Sequence, residues 1–201
     1  MTNNDAHRTH SAHSEPTHSA RTDHDRRFAG QIAMLRSEQR VAMLEIERVV
    51  TACLSDGRIQ SVLDIGTGSG LFAEAFAKHG CRVTGIDLRE DMLEVARQFV
   101  PTGEFQIAHM EHVPLADKQF DLVFMGLVLH EADDVTNALR EAHRLAQTQV
   151  AVLEWVYQAE DFGPPLAHRL RAEQITEAVK TLGFGATKLS RLTNFVLYQF
   201  S

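Results

Sequence analysis

The chain has 201 residues and a mass of 22.5 kDa, with 44% apolar residues, 23% charged residues and a formal net charge of −7. That length suits one domain with a full core, and the absence of any run of 18 apolar residues excludes a membrane-spanning helix. Residues 1–30 balance four acids against four bases, so the net negative charge falls on residues 31–201 and argues against general nucleic-acid binding.

Residues 1–27 contain only Met1, Ala6, Ala12 and Ala20 as apolar residues, too few for a signal-peptide core or for burial that offsets chain entropy. They hold His7, His10, His13, His18 and His24, and are expected to form a disordered His-rich tail. The remaining residues, 28–201, read as one domain. Cys53 and Cys81 lack CxxC spacing, so no disulfide framework and no metal site is expected, and a reducing cytoplasm fits.

Met43, Ile46, Val50 and Cys53 recur at helical spacing, which predicts one amphipathic helix over Ser37–Leu54, ended by Asp56-Gly57. Strand-like runs follow at Ser61–Ile65, Arg82–Asp87, Glu104–Ala108, Phe120–Met125 and Gln149–Tyr157. Helical patterns separate them at Leu71–His79, Asp91–Val100 and Asp134–Ala146. This alternation predicts right-handed crossovers and a parallel sheet covered on both faces. After a helix over Ala172–Leu182, two strands near Ala186–Arg191 and Asn194–Phe200 are joined by a tight turn, which requires an antiparallel hairpin. The expected fold is α/β: a Rossmann-like, doubly wound, seven-stranded sheet, mostly parallel, with a C-terminal antiparallel hairpin.

The most informative stretch is Val62-Leu63-Asp64-Ile65-Gly66-Thr67-Gly68-Ser69-Gly70, an apolar strand entering three alternating glycines before a helix. Such glycines let a ligand approach the backbone, and the following helix start offers oriented N–H groups. The nicotinamide fingerprint GxGxxG fails, because its third glycine would fall on Leu71. A second strand ends at Thr84-Gly85-Ile86-Asp87, where a carboxylate can accept hydrogen bonds from both ribose hydroxyls.

Together these segments resemble motif I and the acidic second-strand end of class I S-adenosylmethionine-dependent methyltransferases, over residues 37–201. The resemblance implies that Asp64 helps hold the methionine amino group. It implies further that Gly66, Thr67, Gly68 and Gly70 line the methionine and ribose, that Asp87 binds the ribose, and that Leu88 and Met92 pack on the adenine. The segment Ala108-His109-Met110-Glu111-His112-Val113-Pro114-Leu115 is similar to the family's Gly-Asp-Ala-Glu-x-Leu-Pro-Phe. There His109, with Met110 and Glu111, takes the adenine-side position that the family gives to an acid. Met125 and Gly126, ending the fourth strand, are expected beside the sulfur.

The sequence Met125-Gly126-Leu127-Val128 lacks the (Asn/Asp)-Pro-Pro-aromatic pattern of enzymes that methylate nucleobase amines, and neither cysteine sits in a nucleophile loop. The expected acceptor is a small molecule, with quinone-ring methylation left open. His130, in the loop after the fourth strand, is the candidate general base, and Glu131 is expected to orient it or cap the next helix. Glu154 and Tyr157 are weaker candidates, and Trp155 reads as core or pocket wall. The Gly163-Pro164-Pro165 connection resembles a loop of small microbial methyltransferases. Residues 28–55, with Phe28, Ile32, Met34 and Leu35, are expected to lid the acceptor pocket. The alternative function is a cofactor-binding sensor or partner subunit without transfer activity. A nicotinamide-dependent oxidoreductase is disfavoured by Leu71 and the terminal hairpin.

Overall fold

A computed structural model describes Met1 and residues 32–201, so the His-rich tail and Phe28 lie outside the described residues. The first helical region is not one helix. It divides into α1 (Ile32–Leu35), α2 (Glu38–Met43) and α3 (Ile46–Cys53). The break falls at Glu45, a non-glycine residue in the left-handed region at φ 48°. Its carboxylate accepts from the Thr193 N–H at 2.7 Å and from Arg48 Nη1 at 2.7 Å. A tertiary contact with the C-terminal turn thus overrides a helical periodicity that ran through positions 43–53.

The helices α4 (Leu71–Lys78), α5 (Glu90–Phe99), α6 (Val135–Leu145) and α7 (Ala172–Thr181) alternate with strands β1 (Ser61–Ile65), β2 (Arg82–Asp87), β3 (Glu104–Ile107), β4 (Phe120–Gly126), β5 (Ala146–Trp155), β6 (Thr187–Arg191) and β7 (Phe195–Phe200). All seven strands form one sheet in the order β3-β2-β1-β4-β5-β7-β6. The pairs from β3 to β5 are parallel, whereas β7 runs antiparallel to both β5 and β6. The predicted fold class therefore matches, including the hairpin imposed by the short 192–194 connection.

Side-chain alternation along the central strands feeds two apolar layers. Leu122 and Phe124 of β4 pack with Phe72, Phe76, Val49 and Val50 on the face covered by α3 and α4. Val123 and Met125 face the opposite way, into a layer with Leu139, Leu145, Ile175 and Val179 of α6 and α7. No helix among the described residues is long and apolar enough to cross a membrane.

The chain winds outward from β1 to β3 and then crosses back to β4, beside β1. The carboxyl ends of β1 and β4 are therefore the point where the winding direction reverses, where ligands of open α/β sheets bind.

Candidate active site

The Gly66–Gly70 loop is strapped across the ends of β1 and β2. The Thr67 N–H donates to Ile86 O at 2.9 Å, the Gly68 N–H to Asp87 Oδ2 at 2.9 Å, and the Thr67 hydroxyl to Asp64 Oδ2 at 2.7 Å. Gly66 has φ 67°, and a Cβ there would lie 2.4 Å from Val128 Cγ2. Both the left-handed backbone and the close approach of the loop after β4 require glycine at this position.

Asp64 is almost wholly buried at the floor of the loop. Burial, opposed by the Thr67 hydrogen bond and reinforced by the Asp87 charge, pushes its carboxyl up to about 7. A ligand ammonium arriving there favours the ionised form. Asp87 is also raised by burial, against N–H donation from Arg89 and Gly68. Its two oxygens each hold one backbone N–H, at 2.9 Å, and retain lone pairs for further donors.

A cavity of about 620 Å³ opens beside this loop, within the 300–1,000 Å³ range usual for small-molecule sites. Of the cofactor-binding positions and the base expected from the sequence, Asp64, Gly66, Thr67, Gly68, Asp87, Leu88, Met92, His109, Met110, Gly126 and His130 line it. Three do not. Gly70, at φ 76°, is turned toward α5, where a Cβ would meet the Ala96 Cβ at 2.9 Å, so it serves helix packing. Met125 points into the α6–α7 layer and is fully buried, because side chains alternate along β4. Glu111 is occupied elsewhere, its Oε1 accepting the N–H groups of Asp133 and Asp134 at 2.8 and 2.9 Å.

His130 lies in a 3-10 turn, Leu129–Glu131, directly after the Leu127 bend. It is buried, and its partner is Glu154 from the end of β5. His130 Nδ1 is 3.0 Å from both Glu154 carboxylate oxygens, and the His130 backbone N–H donates to Oε1 at 3.0 Å. The residue hydrogen-bonded to the ring is thus Glu154, which the fold brings across from the neighbouring strand, while the Glu131 charge also acts on the imidazole. Burial lowers the imidazolium pKa, but the charge and hydrogen bond of Glu154 outweigh it, aided by Glu131 and opposed by Arg169, so the net direction is up. A carboxylate on Nδ1 fixes that nitrogen as the donor and leaves Nε2 as the basic site.

Sequence reasoning missed two further residues. Arg40 of α2 lines the cavity with Leu35 and Leu44. Arg169 is buried under the Gly163-Pro164-Pro165 loop, which also lines the cavity, and donates to four backbone carbonyls of residues 156–164 and to Glu160. Neither has a local signature, since their surroundings come from segments distant in sequence or from backbone oxygens. Trp155 forms a wall as expected. Cys53 is buried, its thiol pushed up to about 12 by burial, and Cys81 directly precedes β2, so both are packing residues.

Residues 63–153 match the protein family described as a methyltransferase domain. A malonyl-[acyl-carrier protein] O-methyltransferase of Enterobacter lignolyticus is 35% identical over 115 residues, 57% of this chain and 45% of that protein. A demethylmenaquinone methyltransferase of Chlorobaculum parvum is 37% identical over 89 residues, 44% of this chain and 37% of that protein. The match thus spans less than half of each curated relative. Among solved structures, a SAM-dependent methyltransferase from Aquifex aeolicus superposes with a TM-score of 0.69 at 23% identity, covering 84% of this chain and 94% of its own.

Proposed function

We propose that this chain is a class I S-adenosylmethionine-dependent methyltransferase and transfers a methyl group from that cofactor to a small-molecule acceptor, a reading supported by the methyltransferase-domain match over residues 63–153. S-adenosylhomocysteine is then the second product. The observation that carries this reading is the meeting, in one cavity, of the Asp64–Asp87 glycine loop with the Glu154-held imidazole of His130. The loop fits the cofactor because Gly68 lines the cavity where a Cβ would meet only Leu35 at 3.8 Å, Asp87 can accept two hydroxyls, and Leu71 removes the third glycine that a dinucleotide site needs.

When bound, S-adenosylmethionine supplies a methyl group on a positively charged sulfur, already activated for in-line displacement. The chain's own part is alignment, desolvation and proton removal. Asp64 holds the ammonium end and Asp87 the ribose. Leu88, Met92, His109 and Met110 enclose the base, and Gly126 lines the cavity at the end of β4. His130 Nε2 takes the proton of a hydroxyl or carbon acceptor, while Glu154 stabilises the resulting imidazolium. Leu35, Arg40 and Leu44 form the described part of a lid over the acceptor side. The two relatives are named for a carboxyl-bearing and a quinone-type acceptor, and small acceptors of those two kinds are the ones to screen. Two unpaired thiols fit a reducing cytoplasm.

Asp87→Ala should weaken S-adenosylhomocysteine binding by about 2–4 kcal/mol, the scale of lost charge-assisted hydrogen bonds plus a loosened Gly68. Calorimetric titration of the two proteins measures it, and an unchanged dissociation constant refutes the placement.

A further inference from the structure

The arginines of the N-terminal helices differ in one respect. Arg36 is engaged, its guanidinium 2.7–2.8 Å from Glu74 Oε2, its Nε donating to Ser69 O, and its plane over the Phe99 ring. Arg48 pairs with Glu45 at 2.7 Å. Arg40 lies between them on α2 and lines the cavity, yet its Nε is buried with no hydrogen-bond partner among the described residues, and no carboxylate there forms an ion pair with its side chain. Burial lowers its pKa, and no charge among the described residues offsets the effect. An arginine nonetheless stays charged in a protein.

A half-buried cation without an anion among the described residues is costly there, and a binding cavity can repay that cost through its ligand. Arg40's position narrows what the ligand brings. Leu35, at the end of α1, approaches within 3.8 Å of where a Gly68 Cβ would stand, and Arg36 bonds to Ser69, so the chain crosses the glycine loop just before Arg40. Leu44, one helical turn later, packs in the layer holding Phe72, Leu127 and Trp155. Arg40 therefore stands between the glycine loop and the apolar wall on the acceptor side. The planar guanidinium offers two parallel N–H donors matched to the spacing of a carboxylate.

We propose that Arg40 is the cation of a carboxylate subsite at the lid side of this cavity. The carboxylate comes either from the amino-acid end of the cofactor or from the acceptor, and the proposal rests on the methyltransferase reading above.

The test is calorimetry on the wild type and Arg40→Met, which keeps the apolar stem and removes the charge. Three probes are used: S-adenosylhomocysteine, 5′-methylthioadenosine, which lacks the amino-acid carboxylate, and benzoate added to protein saturated with S-adenosylhomocysteine. If the cofactor supplies the carboxylate, Arg40→Met binds S-adenosylhomocysteine at least ten-fold more weakly and 5′-methylthioadenosine as the wild type does. If the acceptor supplies it, both nucleosides bind unchanged, while benzoate binds the saturated wild type and at least ten-fold more weakly to the variant. Unchanged affinity for all three, or equal loss for both nucleosides, overturns the subsite. A wild type that binds neither nucleoside overturns the methyltransferase reading itself, and the proposal with it. Should Arg40→Met fail to fold, Arg40→Gln carries the same comparison.

Discussion

Glu154→Gln is expected to lower turnover about 10²–10⁴-fold on an acceptor that brings a proton, the usual worth of a positioned general base, with the S-adenosylhomocysteine dissociation constant held within about two-fold. The carboxylate receives three donors: the His130 ring, the His130 N–H and the Trp155 N–H, the last at 3.2 Å. A glutamine keeps one oxygen and turns the other position into a donor, which sets it against the Nδ1–H and favours the wrong tautomer. His130→Ala should lose a similar factor, and the double variant little more, because the two residues act as one unit. The pH profile gives a second readout. The base works neutral, so kcat should rise with pH through an imidazole pKa that Glu154 holds above the ordinary value of about 6.5. Without the Glu154 charge, burial dominates, and the rising limb should move to lower pH. Equal losses of turnover and cofactor affinity would instead mark the pair as pocket wall.

Arg169→Ala should cost about 3–5 kcal/mol, as removal of one buried charge partner does, and lower the melting temperature by about 6–20 °C for a chain of this size. The Arg169 side chain is 1% exposed. Its Nε donates to Pro164 O at 3.0 Å, its Nη2 to Phe162 O at 2.7 Å, and its Nη1 to Val156 O, Gln158 O and Glu160 Oε2 at 3.1, 2.8 and 2.8 Å. The guanidinium also lies 4.9 Å from the centre of the Trp155 ring. Alanine would strand four carbonyls and a carboxylate, and free the Gly163-Pro164-Pro165 wall of the cavity. Arg169→Lys should recover only part, since an ammonium cannot reach all five acceptors. Thermal unfolding measures both variants. A melting temperature within about 2 °C of wild type for the alanine variant would contradict the clamp.

The parts of this site that were legible in sequence are those set by local chemistry. Alternating glycines after an apolar strand, an acid closing the next strand and a histidine after the fourth each have a fixed backbone setting. All of these except Gly70 line the cavity. Gly70 shows the limit of the motif: its place in the pattern is that of a ligand neighbour, but its missing side chain makes room for Ala96. Met125 was misplaced for a simpler reason, since a one-residue step along a strand reverses the face. Glu154 and Arg169 work over 24 residues and through main-chain oxygens respectively, distances and partners that no local pattern encodes. The break at Glu45 likewise depends on Thr193, 148 residues away.

The most direct test of the central claim is calorimetric titration of the wild-type chain with S-adenosylmethionine and S-adenosylhomocysteine, with NADH as control. The account predicts saturable binding of both sulfur nucleosides at one site and none of NADH. Binding of NADH alone, or of none of the three, would contradict it.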